Sequence, residues 1–178
     1  MNATIRPLSE STDMRTVQQI YAHHVLYGSS SFELQAPNTE TLAGRLLPLQ
    51  QDGYPVLVLE AEQQIQGYAY AGPYRPREGY RFTADDSIYL RPEAQGQGYG
   101  KALLRALIGE CQKAKLRRIM AVIGDSENTS SIALHQRCGF WHIGTAKGIG
   151  FKFGRWLDVV YMQYDIATDD AAVDAMPL

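Results

Sequence analysis

The sequence predicts an α/β (α+β) protein, a central mixed sheet flanked by helices on both faces, and three observations predict it. A short apolar run, Ser87-Ile88-Tyr89-Leu90, passes through a glycine-rich bend into an apolar-periodic segment, which reads as strand, loop and helix. Two apolar runs at 55–61 and 65–71 flank the polar turn Glu62-Gln63-Gln64, the pattern of a hairpin. Helical and strand patterns then interleave in the order β-α-α-β-β-β-α-β-α-β-β, so the helices must cover the faces of one mixed sheet. The 178 residues are close to one domain's worth and contain no internal repeat or linker. A single domain over 1–166 is expected, followed by a tail at 167–178 that lacks periodicity and reads as disordered.

In order, Thr4-Ile5-Arg6 reads as a short first strand. Asp13 is a candidate cap for a helix whose apolar stripe is Met14, Val17, Ile20, Tyr21 and Val25, ending near Gly28. The polar loop 29–33 carries one aromatic, Phe32, and can border a ligand; a second helix over 39–51 is stopped by Gly53 and Pro55. After the hairpin, 72–82 is a long loop with Arg75, Arg77 and Arg81 among aromatics, and strand resumes over 83–90. Leu103, Leu104, Leu107, Ile108 and Cys111 share one face of a helix over 98–113, so that helix packs on the sheet. A strand over 118–123 is followed by a helix opened by Asn128 or Ser130 and closed by Cys138-Gly139. Strands over 140–143 and 157–166 complete the order.

Composition excludes several classes. Hydrophobic residues at 45%, charged residues at 20% and a net charge of -2 describe an ordinary globular protein with no bulk attraction to nucleic acid or anionic membrane. Cys111 and Cys138 have neither metal-ligand spacing nor the look of a disulfide framework, so no metal is expected and a reducing compartment is. The first ten residues lack a signal-peptide core and no apolar run approaches the roughly 18 residues a membrane span needs. A cytoplasmic protein is expected.

The run Gln95-Gly96-Gln97-Gly98-Tyr99-Gly100-Lys101 places glycines at alternate positions, where they allow φ > 0 and bring bare N–H groups to a ligand at a helix N-terminus. The expected ligand is a pyrophosphate; a turn with no ligand is the plainer alternative. A Walker A loop needs Gly where Gln95 stands and Ser or Thr where Ala102 stands. A dinucleotide fingerprint needs Gly in place of Lys101 and an acid near the basic Arg117 and Arg118. What fits is Gln/Arg-x-x-Gly-x-Gly/Ala, met by Gln95, Gly98 and Gly100, which resembles the acetyl-coenzyme A signature of the GNAT N-acetyltransferases.

The resemblance extends further. Asn128-x-x-Ser131-x-x-Leu134-His135-x-x-Cys138-Gly139-Phe140 looks like the second half of that superfamily's coenzyme-binding core, with His135 where Tyr is usual. The stretches 71–75, 80–84 and 87–90, the pair Leu134-His135, and Gly150-Phe151-Lys152-Phe153-Gly154-Arg155-Trp156-Leu157-Asp158 are similar to phosphinothricin and methionine sulfoximine acetyltransferases. The match runs from about Ile5 to Ile166.

What the resemblance implies is an acyl-coenzyme A acetyltransferase fold, acetyl-coenzyme A as co-substrate and no metal. Gln95, Gly96, Gln97, Gly98, Tyr99, Gly100 and Lys101 would hold the pyrophosphate. The backbone of Ile88, Tyr89 and Leu90 would pair with the pantetheine arm as an added strand and point one N–H at the thioester oxygen, and Asn128 would bind the same arm by its amide. The acceptor's ammonium must lose a proton, for which Asp85 is the first choice of base, directly or through water, with Asp86 the competing carboxylate. Either acid reads equally well as a solvated strand-end residue. His135, as a neutral imidazole, can relay the proton or protonate the departing thiolate; a packed, hydrogen-bonded histidine is the alternative. Arg75 and Arg77 suit an acceptor carboxylate, with Phe32, Tyr74, Pro76 and Tyr80 as walls and Asp85, Asp86 and Ser87 completing the site. Solvated loop charges are the other reading of the arginines.

The expected activity is therefore acetylation of the α-amine of a small amino-acid analogue, such as phosphinothricin, methionine sulfoximine or methionine sulfone, by direct attack in a ternary complex. Neither cysteine stands where a nucleophile would, and the activity would be protective. Two alternatives stay open: an acetyltransferase for another small amine or a peptide N-terminus, and a non-catalytic acyl-coenzyme A-binding module. A homodimer is expected, Trp156 and the aromatic last strand serving as core or subunit interface.

Overall fold

The computed structural model describes residues 3–166, so the tail at 167–178 lies outside the described residues. Seven strands, β1 (Ala3–Pro7), β2 (Val56–Ala61), β3 (Gln64–Pro73), β4 (Thr83–Leu90), β5 (Arg118–Gly124), β6 (Trp141–Lys152) and β7 (Arg155–Asp165), form one sheet. Four helices accompany them: α1 (Glu10–Tyr27), α2 (Thr39–Gln51), α3 (Tyr99–Lys113) and α4 (Thr129–Arg137). The sheet order is β1-β2-β3-β4-β5-β7-β6, and every neighbouring pair is antiparallel except β4–β5, whose strands are linked by the α3 crossover. This is the mixed sheet with helices on both faces that the sequence predicts.

Alternation along the strands divides the core in two. Leu57, Leu59, Ala69, Ala71, Ala84, Ile119 and Ala121 join α3 residues Leu103, Leu104, Leu107 and Cys111 on one face. Val56, Val58, Tyr68 and Tyr89 join α1 and α2 residues Val17, Ile20, Tyr21, Val25, Leu42 and Leu46 on the other. Successive residues of β4 therefore look into different cores.

The structure corrects two boundaries and decides a third. Helix α1 is capped by Ser9, not Asp13. Asp13 is a first-turn residue, 1% exposed, whose carboxylate accepts the Ser9 N–H at 2.7 Å and two Arg6 contacts at 2.7 and 3.0 Å; it serves the positive helix end from inside the helix. The cap of α4 is Asn128, whose Oδ1 accepts the Ser131 N–H at 3.3 Å and the Ser130 hydroxyl at 3.1 Å. The strand expected over 140–143 is instead β6, twelve residues long, paired with a β7 that starts at Arg155. Register shifts at His142/Gly144 and Ala146/Gly150 bulge the strand where Gly144, Gly148 and Gly150 fall. Asp158 holds the second bulge, accepting the Gly148 N–H at 3.0 Å and the Lys147 ammonium at 2.8 Å.

Candidate active site

The parallel strands β4 and β5 pair only from Thr83↔Arg118 to Asp86↔Ala121; beyond that they part. An open cavity fills the gap, lined by Asp86, Ser87, Ile88 and Tyr89 from β4 and by Ala121, Val122, Ile123 and Gly124 from β5. Ser30, Asn128, Ser131 and His135 complete the lining.

Register fixes which backbone groups face this gap. The bonds Tyr74 N–H to Thr83 carbonyl and Arg91 N–H to Gln66 carbonyl set the phase of the β3–β4 ladder, so odd-numbered residues of β4, Tyr89 among them, turn their amides toward β3. Even-numbered Ile88 and Leu90 turn theirs toward β5. On β5, the bonds Asp125 N–H to Asp158 carbonyl and Ile166 N–H to Arg117 carbonyl commit odd-numbered residues to β7, leaving Val122 and Gly124 to face the gap. The Leu90 carbonyl is taken by His24 Nε2–H at 2.7 Å. The gap is thus edged on both sides by strand backbone, a fit for an extended chain carrying its own amides. Of the three residues expected to pair with such a chain, Tyr89 lines the cavity but has its backbone committed to β3.

Two adjacent acids part company across the sheet. Asp86, 9% exposed, belongs to the α3–α4 side, where its Oδ2 lies 3.0 Å from His135 Nε2. His135 Nδ1 lies 2.7 Å from the Ser131 carbonyl, and since a carbonyl only accepts, Nδ1 carries a proton. A hydrogen bond between Nε2 and Asp86 then requires a second proton at that position. Burial disfavours the charged ring, but Asp86's charge and hydrogen bond and the Ser131 carbonyl outweigh it, pushing the His135 pKa above its ordinary value. This corrects the neutral imidazole expected from the sequence in the direction of a protonated ring. The other Asp86 oxygen, Oδ1, is buried with no hydrogen-bond partner among the described residues, an orphaned acceptor on a cavity-lining residue that a ligand N–H or a water would satisfy.

Asp85 belongs to the opposite, α1–α2 side and is half-buried. Burial first, and then the neighbouring Asp86 charge, push its carboxyl up to about 6, with Arg75 opposing. A carboxylate poised there ionises near neutrality and still accepts a proton readily, which suits a general base.

At the head of α3, Gly96 and Gly98 take φ of +75° and +84°, a conformation costly to any residue with a side chain. Gly100 does not follow the alternate-glycine expectation: it lies inside α3, and a Cβ there would press on Leu134 at 3.3 Å and Leu90 at 3.4 Å. It sets how closely helix and strand pack. Tyr99 is buried in the core rather than turned to the loop, whereas Gln95, Gln97 and Lys101 are exposed beside it. The first turn of α3 contains no acid, so its positive end is not internally neutralised. Asn128 spends its side-chain oxygen on the α4 cap, leaving its amide N–H groups as the part able to serve a ligand.

The acceptor residues named from the sequence are not gathered together. Arg75, Pro76, Arg77 and Tyr80 sit on the exposed loop before β4, where Arg75 lies 5.1 Å over the Tyr74 ring and Tyr74 meets Tyr80 edge-on at 5.7 Å. Neither Arg75 nor Arg77 forms an ion pair with a described residue; Arg75 acts on Asp85 through charge, and none of the three lines the cavity. Phe32 lies instead against the backbone of Gly124 and Gly150. The cavity brings together Asp86, Ser87, Ile88, Asn128 and His135. The sequence reading missed Ser30, Val122 and Gly124; the β5 pair could be found only once the strand register was known.

Comparison with known proteins agrees with this geometry. The acetyltransferase (GNAT) family model matches residues 18–140. A phosphinothricin N-acetyltransferase of Alcaligenes faecalis is 44% identical over 170 residues, covering 96% of this chain and 86% of that protein. An L-methionine sulfoximine/L-methionine sulfone acetyltransferase of Salmonella typhimurium is 36% identical, covering 97% and 99%. Among solved structures, a GNAT superfamily phosphinothricin acetyltransferase from Sinorhizobium meliloti in complex with AcCoA superposes with a TM-score of 0.92 at 41% identity, covering 100% of this chain and 94% of that one. The chain belongs to the acetyltransferase (GNAT) family.

Proposed function

We propose that the protein is an acetyl-coenzyme A-dependent N-acetyltransferase acting on the α-amine of a small amino-acid analogue of the phosphinothricin, methionine sulfoximine or methionine sulfone type, by direct attack in a ternary complex. The observation that carries the reading is the parting of β4 and β5 just beyond the adjacent but differently placed carboxylates Asp85 and Asp86. When bound, the co-substrate supplies an acetyl thioester.

The chain's own residues then divide the work. Gly96, Gly98 and the open N-terminus of α3 receive the pyrophosphate. Ile88, Val122, Gly124 and the Asn128 amide hold the arm, and an N–H of Ile88 or Leu90 donates to the thioester oxygen as it gains charge. Asp85 takes the proton from the acceptor's ammonium, directly or through one water. The His135–Asp86 pair holds a proton that can pass to the departing sulfur. Arg75 and Arg77 receive the acceptor's carboxylate, with Tyr74 and Tyr80 beside them. In the same reading residues 1–166 form one domain, and the protein acts protectively in the cytoplasm, in keeping with two free cysteines. It works as a homodimer, for which exposed Phe151, Phe153 and Trp156 on the β6–β7 hairpin are the support.

The test is thiol release from acetyl-coenzyme A against sulfoximines, sulfones, phosphinothricin, common amino acids, polyamines and peptides. Turnover selective for the amino-acid analogues is the expected result. Selectivity for polyamines or peptides would overturn the acceptor, and binding without turnover would overturn the enzyme.

A further inference from the structure

The segment joining α1 to α2 supplies Ser30 to the cavity and Phe32 to its edge, yet it is irregular chain. What fixes it comes from the far end of the sequence. Lys152, the last residue of β6, is 2% exposed, and its ammonium donates to the Gly28 carbonyl at 2.9 Å and the Ser31 carbonyl at 2.5 Å. Those two carbonyls bracket Ser29 and Ser30. Gly28 also follows the last turn of α1, where the helix end is negative, so a cation is favoured there.

Burying an ammonium is costly unless it is well bonded, and burial accordingly drives the Lys152 pKa below its ordinary value. No described carboxylate stands in ion-pair range to neutralise it. Two glycines complete the seat. A Cβ on Gly150, two residues before Lys152 on the same strand face, would fall 2.1 Å from the Phe32 ring, and one on Gly124 would fall 2.4 Å from the Ser29 carbonyl. The segment is thus pressed onto β5 and β6 through absent side chains and clamped by one buried cation. Ser30 additionally lies 3.4 Å from His24 Nδ1, whose other ring nitrogen holds the Leu90 carbonyl, so the same turn is tied to the β4 edge of the cavity.

We propose that Lys152 is a positioning residue for the acceptor half of the site: its buried ammonium holds the Gly28–Ser31 turn so that Ser30 and Phe32 stand where the acceptor meets the thioester. This rests on the acetyltransferase reading above. Lys152 touches neither reacting group; it acts through the turn.

The test is Lys152→Met, which keeps the length and removes the charge. A loosened turn should raise the acceptor KM about tenfold or more, as small misplacements near a reacting centre do. The affinity for coenzyme A, read by calorimetry, should hold within about threefold, since its edge is built by β4 and β5. Amide exchange at 28–33 should quicken. Gly150→Ala, which displaces Phe32 without touching the charge, should give the same split, and the two together should be less than additive. Unchanged acceptor kinetics in both variants would overturn the proposal, as would acceptor and coenzyme constants falling in step with the melting temperature. Should Lys152→Met not fold, Gly150→Ala alone decides. If the wild type turns over no acceptor, the enzyme reading fails separately, and the exchange rate at 28–33 still reads the clamp.

Discussion

In the proposed function, the coenzyme half and the acceptor half of the site are built in opposite ways. The first is made of consecutive residues: β4, the glycine bend and the head of α3 follow one another from Thr83 to Lys113, and the α4 cap lies directly after β5. The second draws on the α1–α2 segment and the end of β6, which meet only in the folded chain, and on the exposed loop before β4. Binding a constant ligand needs a local motif; choosing a variable one is left to parts that can change independently. Asp85 and Asp86 mark the seam, adjacent in sequence and committed to different cores.

The largest expected effect is at that seam. Asp85→Asn should lower kcat by roughly 10²–10⁴, the usual worth of a positioned base, while leaving coenzyme affinity intact. In the wild type kcat/KM should fall as pH drops through about 6, where Asp85 takes up a proton, and in the variant that limb should vanish. A limb that persists would move the base elsewhere and blur the division.

Next comes the coenzyme side. His135→Ala leaves Asp86 buried and unpaired and should cost about 3–5 kcal/mol of stability in denaturant titration. Because the folded pKa of His135 is raised, the pair's contribution is fully present below the unfolded value near 6.5 and fades as pH rises through the folded value. The gap between wild type and His135→Ala should therefore narrow at alkaline pH; a gap that widens would show that the ring is held neutral. Smaller is the acceptor clamp: Arg75→Ala and Arg77→Ala should each weaken the KM for a carboxylate-bearing acceptor by about 1.5–3 kcal/mol in free energy, with acetyl-coenzyme A kinetics unchanged. The smallest is Gly98→Ala, where φ of +84° costs an L-residue roughly 1–2 kcal/mol and should appear in the coenzyme KM alone. If either pair of variants moved the other half's constants, the two halves would be one unit.

That division also explains what could be read from the sequence. Helices α1 to α3 were legible because their apolar stripes are local, and the β4-to-α3 passage because a glycine spacing is. Long β6 was not, since two bulges, the second held by Asp158 of β7, let glycines stay within it. Gly100 was misread because its role depends on Leu134 and Leu90, which no spacing rule relates to it. The orientation of Tyr89, the Val122 carbonyl and Gly124 amide that face the gap, and the contacts of Lys152 are all consequences of register or of contacts spanning most of the chain.

The parted strands carry one more consequence. A cleft made by withholding rungs from a ladder is a weak seam in the empty protein, and its free N–H groups at Ile88 and Gly124 are exposed to exchange with solvent. Whatever seats there finishes the sheet and so acts as a chaperone for it. At a hundred times its Kd such a ligand adds about 2.7 kcal/mol to the folded state. Resistance of the protein to heat and to proteases is then coupled to the supply of the molecule it consumes.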